Sequence, residues 1–73
     1  MLEYGEEEIK ILGGTEYRFK GSLHRKDGPA RTFDNGVMEW WLNGKPFDNF
    51  ENWIHEAELT EEEIIYLKLK YAT

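Results

Sequence analysis

The sequence predicts an α+β protein: a small antiparallel β-sheet of about four strands followed by two C-terminal helices. Three observations lead there. Apolar and polar residues alternate with period two through much of residues 8–42. Glycine-containing dipeptides punctuate that stretch at Gly13-Gly14, Asn35-Gly36 and Asn43-Gly44. After residue 47 the spacing changes to that of a helix, with capping residues in place. One domain is expected over 1–73, with a hairpin region at 8–45 and a helical cap at 48–71.

The elements follow in order. Residues 8–12 read as a strand with Ile9 and Ile11 on one face, ended by a glycine pair that takes positive φ cheaply. Glu16-Tyr17-Arg18-Phe19-Lys20 alternates charge with ring, so Tyr17 and Phe19 are expected inward and should meet Ile9 and Ile11 across a hairpin. Asp27-Gly28-Pro29 is turn chemistry, with Ala30 to Phe33 a short strand beyond it. Asn35-Gly36 favours a type I′ turn between Phe33 and Val37. The strand from Val37 to Leu42 carries Trp40 and Trp41, which must point to opposite faces. Asp48 is the expected cap of the first helix, about 48–57, with Glu51 completing a capping box and Phe50, Trp53, Ile54 and Ala57 forming its apolar stripe. Thr60 and Glu63 form a second box for a helix of about 60–71, with Leu59 and Ile64 placed as its hydrophobic staple. Glu61, Glu62 and Glu63 open that helix and Lys68 and Lys70 close it, as its dipole prefers. The expected core is Ile9, Ile11, Tyr17, Phe19, one of Trp40 and Trp41, Leu42, Phe50, Trp53, Ile54, Ile64 and Leu67.

Size and composition narrow the function classes. The 73 residues include no cysteine, so neither a disulfide nor a thiolate metal site is available. Three Trp, four Tyr and four Phe must therefore supply most of the packing. No apolar run is long enough to span a bilayer, and the acidic start MLEYGEEEIK does not resemble a signal peptide, so a cytoplasmic setting is expected. Net charge is −6 and uneven: residues 9–33 carry an excess of bases, whereas residues 34–63 hold nine acids against one base. An acidic chain repels phosphate, which disfavours general nucleic-acid binding and favours a basic protein partner.

A repeat runs through the first half. Tyr17-Arg-Phe-Lys-Gly21 aligns with Trp40-Trp-Leu-Asn-Gly44 at a shift of 23. The stretch GSLHRKDGPARTFDNGVMEWWLNGK resembles the LHR-x-DGPA…W-x-x-x-G-K repeat of many small bacterial and bacteriophage proteins, itself similar in layout to the MORN-type β-hairpin repeat. It covers about residues 17–45, in about one and a half copies. The resemblance implies a twisted antiparallel sheet and a phage or bacterial source, in which case the compartment is the host cytoplasm. It carries no settled chemistry.

The candidate sites are weighed on that basis. His24 oriented by Asp27 would be a general base, but no Ser, Cys or second acid stands at a spacing that suits a nucleophile. His24, Asp27, Gly28, Pro29, Asn35 and Gly36 are therefore read as structural turn residues, and no catalytic residue, metal site or cofactor is expected. His24 and His55, the only histidines, have no diagnostic metal spacing. One of Trp40 and Trp41 is expected on the outer side of the sheet as an interface anchor, unless the N-terminal hairpin or residues 1–5 cover it. With Glu51, Glu56, Glu58, Glu61, Glu62 and Glu63 it makes the expected partner-binding surface. Arg18, Lys20, Arg25, Lys26 and Arg31 are the alternative, a basic strand surface for nucleic acid. The expectation is thus a non-enzymatic binding module whose partner is a host or defence protein, such as a nuclease complex. Self-assembly as a structural repeat or homo-oligomer stays open.

Overall fold

In a computed structural model of the chain, residues 6–71 are described. Expectations that concern residues 1–5, including cover for the second tryptophan, lie outside them. The elements are β1 (Glu6–Ile11), β2 (Gly14–Phe19), β3 (Ser22–Leu23), β4 (Arg31–Phe33), β5 (Met38–Leu42), β6 (Lys45–Phe47), α1 (Phe50–Glu56) and α2 (Glu61–Tyr71). All strand pairings are antiparallel, in the order β1-β2-β4-β5-β6, with β3 also on β2. The fold is the expected α+β arrangement, with six strands where about four were expected.

The extra strands come from the repeat. Positive φ recurs at Gly13 and Gly36, at Lys20 and Asn43, and at Gly21 and Gly44, each pair separated by the shift of 23. Lys20-Gly21 and Asn43-Gly44 each take positive φ at both positions, the geometry of a type I′ turn. Each joins a strand to a short return strand: Phe19 pairs with Ser22, and Leu42 with Lys45. The chain therefore holds two three-stranded units, β1-β2-β3 and β4-β5-β6, where about one and a half copies were expected.

Asn35-Gly36 behaves differently from expectation. Only Gly36 has positive φ, Gly36 N–H donates to Phe33 O, and Phe33 N–H donates to Val37 O. This is a three-residue loop with a glycine bulge rather than a type I′ turn, and Asn35 Oδ1 accepts the Val37 N–H.

Pairing register decides which residues share a face, because directly opposed side chains lie on the same side. The two-residue connection Leu12-Gly13 pairs odd-numbered residues of β1 with even-numbered residues of β2, so Ile9 faces Glu16 and Glu8 faces Tyr17. Ile9 and Ile11 thus lie on the opposite face from Tyr17 and Phe19, contrary to expectation, and all four are only half-buried. The helices pack on the Tyr17 face, over Trp40, Leu42 and Phe47.

There the core is built from rings. Trp40, Leu42, Phe50, Trp53, Ile54, Ala57 and Leu67 are buried together, with Phe47, Leu59, Ile64 and Tyr71 packed against them. Trp40 meets Phe50, Trp53 and Tyr71 at centroid distances of 5.0, 4.8 and 5.3 Å. Such pairs each contribute roughly 0.5–1.5 kcal/mol beyond area burial. Trp53 has no solvent exposure at all, and its indole N–H meets no hydrogen-bond acceptor among the described residues.

The helix starts differ in one respect. Asn49, in extended conformation, caps α1 by accepting the Asn52 N–H at 2.9 Å. Asp48 lies one residue too early for that bond, so the expected Asp48–Glu51 box does not form. The Thr60–Glu63 box does: Glu63 N–H donates to Thr60 Oγ1, and Thr60 N–H donates to Glu63 Oε1. Between the helices Glu58 sits at φ 52, a left-handed position that follows the C-cap Ala57 and favours glycine.

Two stability predictions follow from these positions. Trp53→Ala removes the fully buried ring and should cost about 3–5 kcal/mol. That equals the few kcal/mol a core of this size supplies, so circular dichroism should show the variant largely unfolded at 25 °C. Glu58→Gly relieves the left-handed strain and should add about 0.5–1 kcal/mol, read as a raised midpoint of urea denaturation.

Candidate functional site

The His24 cluster forms a joint between the two units. His24 N–H donates to Tyr17 O of the first unit. On its other side Gly44 N–H donates to Leu23 O, Asn43 N–H donates to the His24 ring Nδ1 at 2.9 Å, and Arg25 N–H faces Trp41 O at 3.4 Å. A ring nitrogen that accepts is unprotonated, so this arrangement holds the neutral tautomer with its hydrogen on Nε2. That Nε2 lies 3.7 Å from the Glu6 carboxylate.

Asp27 does not orient the imidazole. It accepts from Arg25 Nε at 2.7 Å, while Arg25 NH1 donates to Pro29 O and the guanidinium lies 3.9 Å over the Tyr17 ring. Gly28 allows close packing there: a Cβ would stand 2.9 Å from the Tyr71 hydroxyl and 3.0 Å from the Arg25 guanidinium, so the ends of those side chains would have to shift. Pro29 and Ala30 are buried behind it, with Ala30 N–H bonded to Glu39 O and Ala30 O accepting from Tyr17 N–H.

His24 also borders an open cleft of about 390 Å³, lined on one side by His24, Lys26 and Lys45 and on the other by Glu56 and Glu58. The lining includes, among the described residues, no Ser, Thr or Cys to serve as a nucleophile. Among the described residues no group of three His, Cys, Asp or Glu is placed to hold a metal ion.

The sheet face turned away from the helices carries a ladder of ion pairs absent from the sequence reading. Glu16 accepts from Arg18 Nε at 2.9 Å and from Arg31 at 3.2 Å. Arg31 NH1 then donates to Glu39 Oε1 at 3.1 Å, and the Trp41 indole N–H donates to the same oxygen at 3.2 Å. The Arg18 hydrogen bond, joined by those from Arg31, holds the Glu16 carboxyl below the ordinary glutamate range against the upward push of its burial. The signal was available in part: Glu16 and Glu39 are related by the same shift of 23, and Arg31 stands between them in the sheet.

The structure thus sorts the residues singled out from the sequence. Trp40 is 6% exposed and belongs to the core, so it leaves the partner-binding set; Trp41 is the half-buried tryptophan of the second face. Of the basic candidates, Arg18, Arg25 and Arg31 are engaged within the chain. Lys20 lies over Phe19, and Lys26 is half-buried beside α2. Glu51, Glu56, Glu58, Glu61, Glu62 and Glu63 are all exposed. Glu63 is the capping residue, its carboxyl held low by the Thr60 backbone N–H. Among the described residues no ion pair engages the other five. They stand on α1, in the turn after it and in the first turn of α2, with Glu56 and Glu58 bordering the cleft that Lys26 and Lys45 also line.

Comparison with known proteins finds no matching family, no matching curated protein and no matching solved structure. No described helix is long and apolar enough to cross a membrane.

The ladder makes stability depend on pH with a definite sign. The folded Glu16 value is depressed, so its contribution is complete above the ordinary glutamate value of about 4.3 and is lost as pH falls through the lower folded value. The stability gap between the native chain and Glu16→Gln should therefore be largest near neutrality and close on acidification, measured by urea denaturation at a series of pH values. A gap independent of pH would remove the ladder as its cause.

Proposed function

We propose that the chain is a non-enzymatic protein-binding module that docks its acidic helices on a basic surface of a partner. The observation that carries this reading is the division of charge after internal pairing. The arginines are engaged with the chain's own carboxylates, carbonyls and rings, whereas the helix glutamates are exposed. Six exposed glutamates are thereby gathered on α1, the turn after it and the first turn of α2. Carboxylates in such an array complement a groove built for phosphate, and the charge steers encounter with it.

The partner class is a host or defence protein that handles nucleic acid, such as a nuclease complex, and the module inhibits it by occluding its basic groove. A phage accessory protein acting in the bacterial cytoplasm fits that role. Direct nucleic-acid binding is the weaker alternative, because Arg18, Arg25 and Arg31 would have to leave their partners to reach phosphate.

The test joins capture to competition. Tagged protein should retain a nucleic-acid-handling protein from bacterial lysate, and added duplex or single-stranded nucleic acid should displace it. The combined variant Glu51→Gln, Glu56→Gln, Glu58→Gln, Glu61→Gln should lose at least about tenfold in retention. The protein alone should shift neither DNA nor RNA in a gel. A shift without partner, or capture indifferent to the four substitutions, counts against the proposal.

A further inference from the structure

Helix α2 is apolar on two opposite sides. Ile64, Leu67 and Tyr71, at helical spacing, face the core. Ile65, Tyr66 and Leu69 project from the other side and are 60%, 59% and 73% exposed. At 100° per residue the centres of the two stripes lie about 180° apart. Three large apolar side chains on one exposed helix face exceed what scattered surface residues require.

The charges beside this stripe indicate what covers it. The first turn is acidic, with Glu61, Glu62 and Glu63, and the last turn is basic, with Lys68 and Lys70. Glu61 and Lys68 lie on the same flank of the outer stripe, two turns apart. On the other flank Lys70 sits over the Tyr66 ring at 5.7 Å, which places its charge at the edge of the stripe. A basic partner meets Lys68 and Lys70 at one end, and an acidic partner meets three glutamates at the other. A helix of the same polarity laid antiparallel meets opposite charge at both ends.

We propose that the outer face of α2 is the contact of a two-fold homodimer in which two copies of α2 pack antiparallel. Ile65 and Tyr66 of one copy lie about the two-fold axis against the same residues of the other, Leu69 lies over the partner's first turn, and Glu61 of each approaches Lys68 of its partner. The arrangement satisfies the self-complementarity that a two-fold axis demands, since the same flank faces itself in reverse. Parallel packing would set glutamate on glutamate and lysine on lysine. Eleven residues of helix are about 16 Å long, so the contact falls below the size of a permanent interface and the dimer is reversible. The contact shares Glu61 with the basic-partner reading, which otherwise uses α1 and the turn after it, whereas Ile65, Tyr66, Leu69 and Lys68 belong to the dimer contact alone.

Sedimentation velocity over protein concentrations from about 10 µM to about 1 mM tests the proposal. The native chain should pass from monomer to dimer within that range. Leu69→Glu, an exposed position whose change leaves the core intact, should weaken the dimer at least about tenfold while circular dichroism stays unchanged. Lys68→Glu should weaken it at least about threefold, and an equimolar mixture of Lys68→Glu with Glu61→Lys should form heterodimer in preference to either homodimer. A native chain that stays monomeric throughout, a dimer indifferent to Leu69→Glu, or charge variants that mix without preference would overturn the proposal. Retention of lysate capture by Leu69→Glu separates its failure from that of the basic-partner reading.

Discussion

The structure depends on placing Trp40 beneath the helices. A chain of this size without disulfides needs large rings to exclude water, and Trp40 is the ring that Phe50, Trp53 and Tyr71 all touch. Strand alternation then forces Trp41 to the opposite face. That face cannot be apolar throughout without inviting aggregation. Its polar answer is the ladder from Arg18 through Glu16 and Arg31 to Glu39, which ends on the Trp41 indole. One side of the sheet is thus held by rings and the other by charge.

The same ladder holds the arginines of the strands within the chain. Arg31 belongs to the strand that opens the second unit, and it bonds Glu16 of the first and Glu39 of its own. It therefore joins the two units electrostatically where β2 and β4 join them by backbone. Arg25 plays the corresponding part on the helix side, stacked on Tyr17 and bonded to Asp27. Positive charge is drawn inward to these joints, and the negative charge of the helices stays outside.

Much of this was legible in the sequence, and the rest has identifiable reasons for being hidden. The helices, their apolar stripe and the Thr60–Glu63 box follow from spacing and local hydrogen-bond chemistry, which act within a few residues. The His24 segment was legible as structural because Gly-Pro and the repeat mark it, but its part as a joint was not, since the Asn43 N–H it receives is 19 residues away. Register was not legible: whether Ile9 meets Tyr17 or Glu16 depends on the parity of one turn, and Gly13-Gly14 leaves that parity open. The cap of α1 moved from Asp48 to Asn49 because two adjacent residues offer the same chemistry. The ladder stayed hidden because alternation marks Glu16 as outward, whereas two arginines make its partial withdrawal from water tolerable.

The end of the repeat shows how a small array stops. Phe47 stands in the second unit where His24 stands in the first, 23 positions earlier. His24 accepts a backbone N–H from the next unit's turn, which suits a junction with more sheet to follow. Phe47 has no such acceptor and packs against the ring cluster instead, and the chain turns at Asn49 into α1. The polar ring is followed by a further hairpin and the apolar one by a helix. The cap that results buries the last unit through Phe50, Trp53 and Leu67. Its outer side is then free to carry the acidic residues of α1 and the second apolar stripe of α2, features the sheet itself does not present.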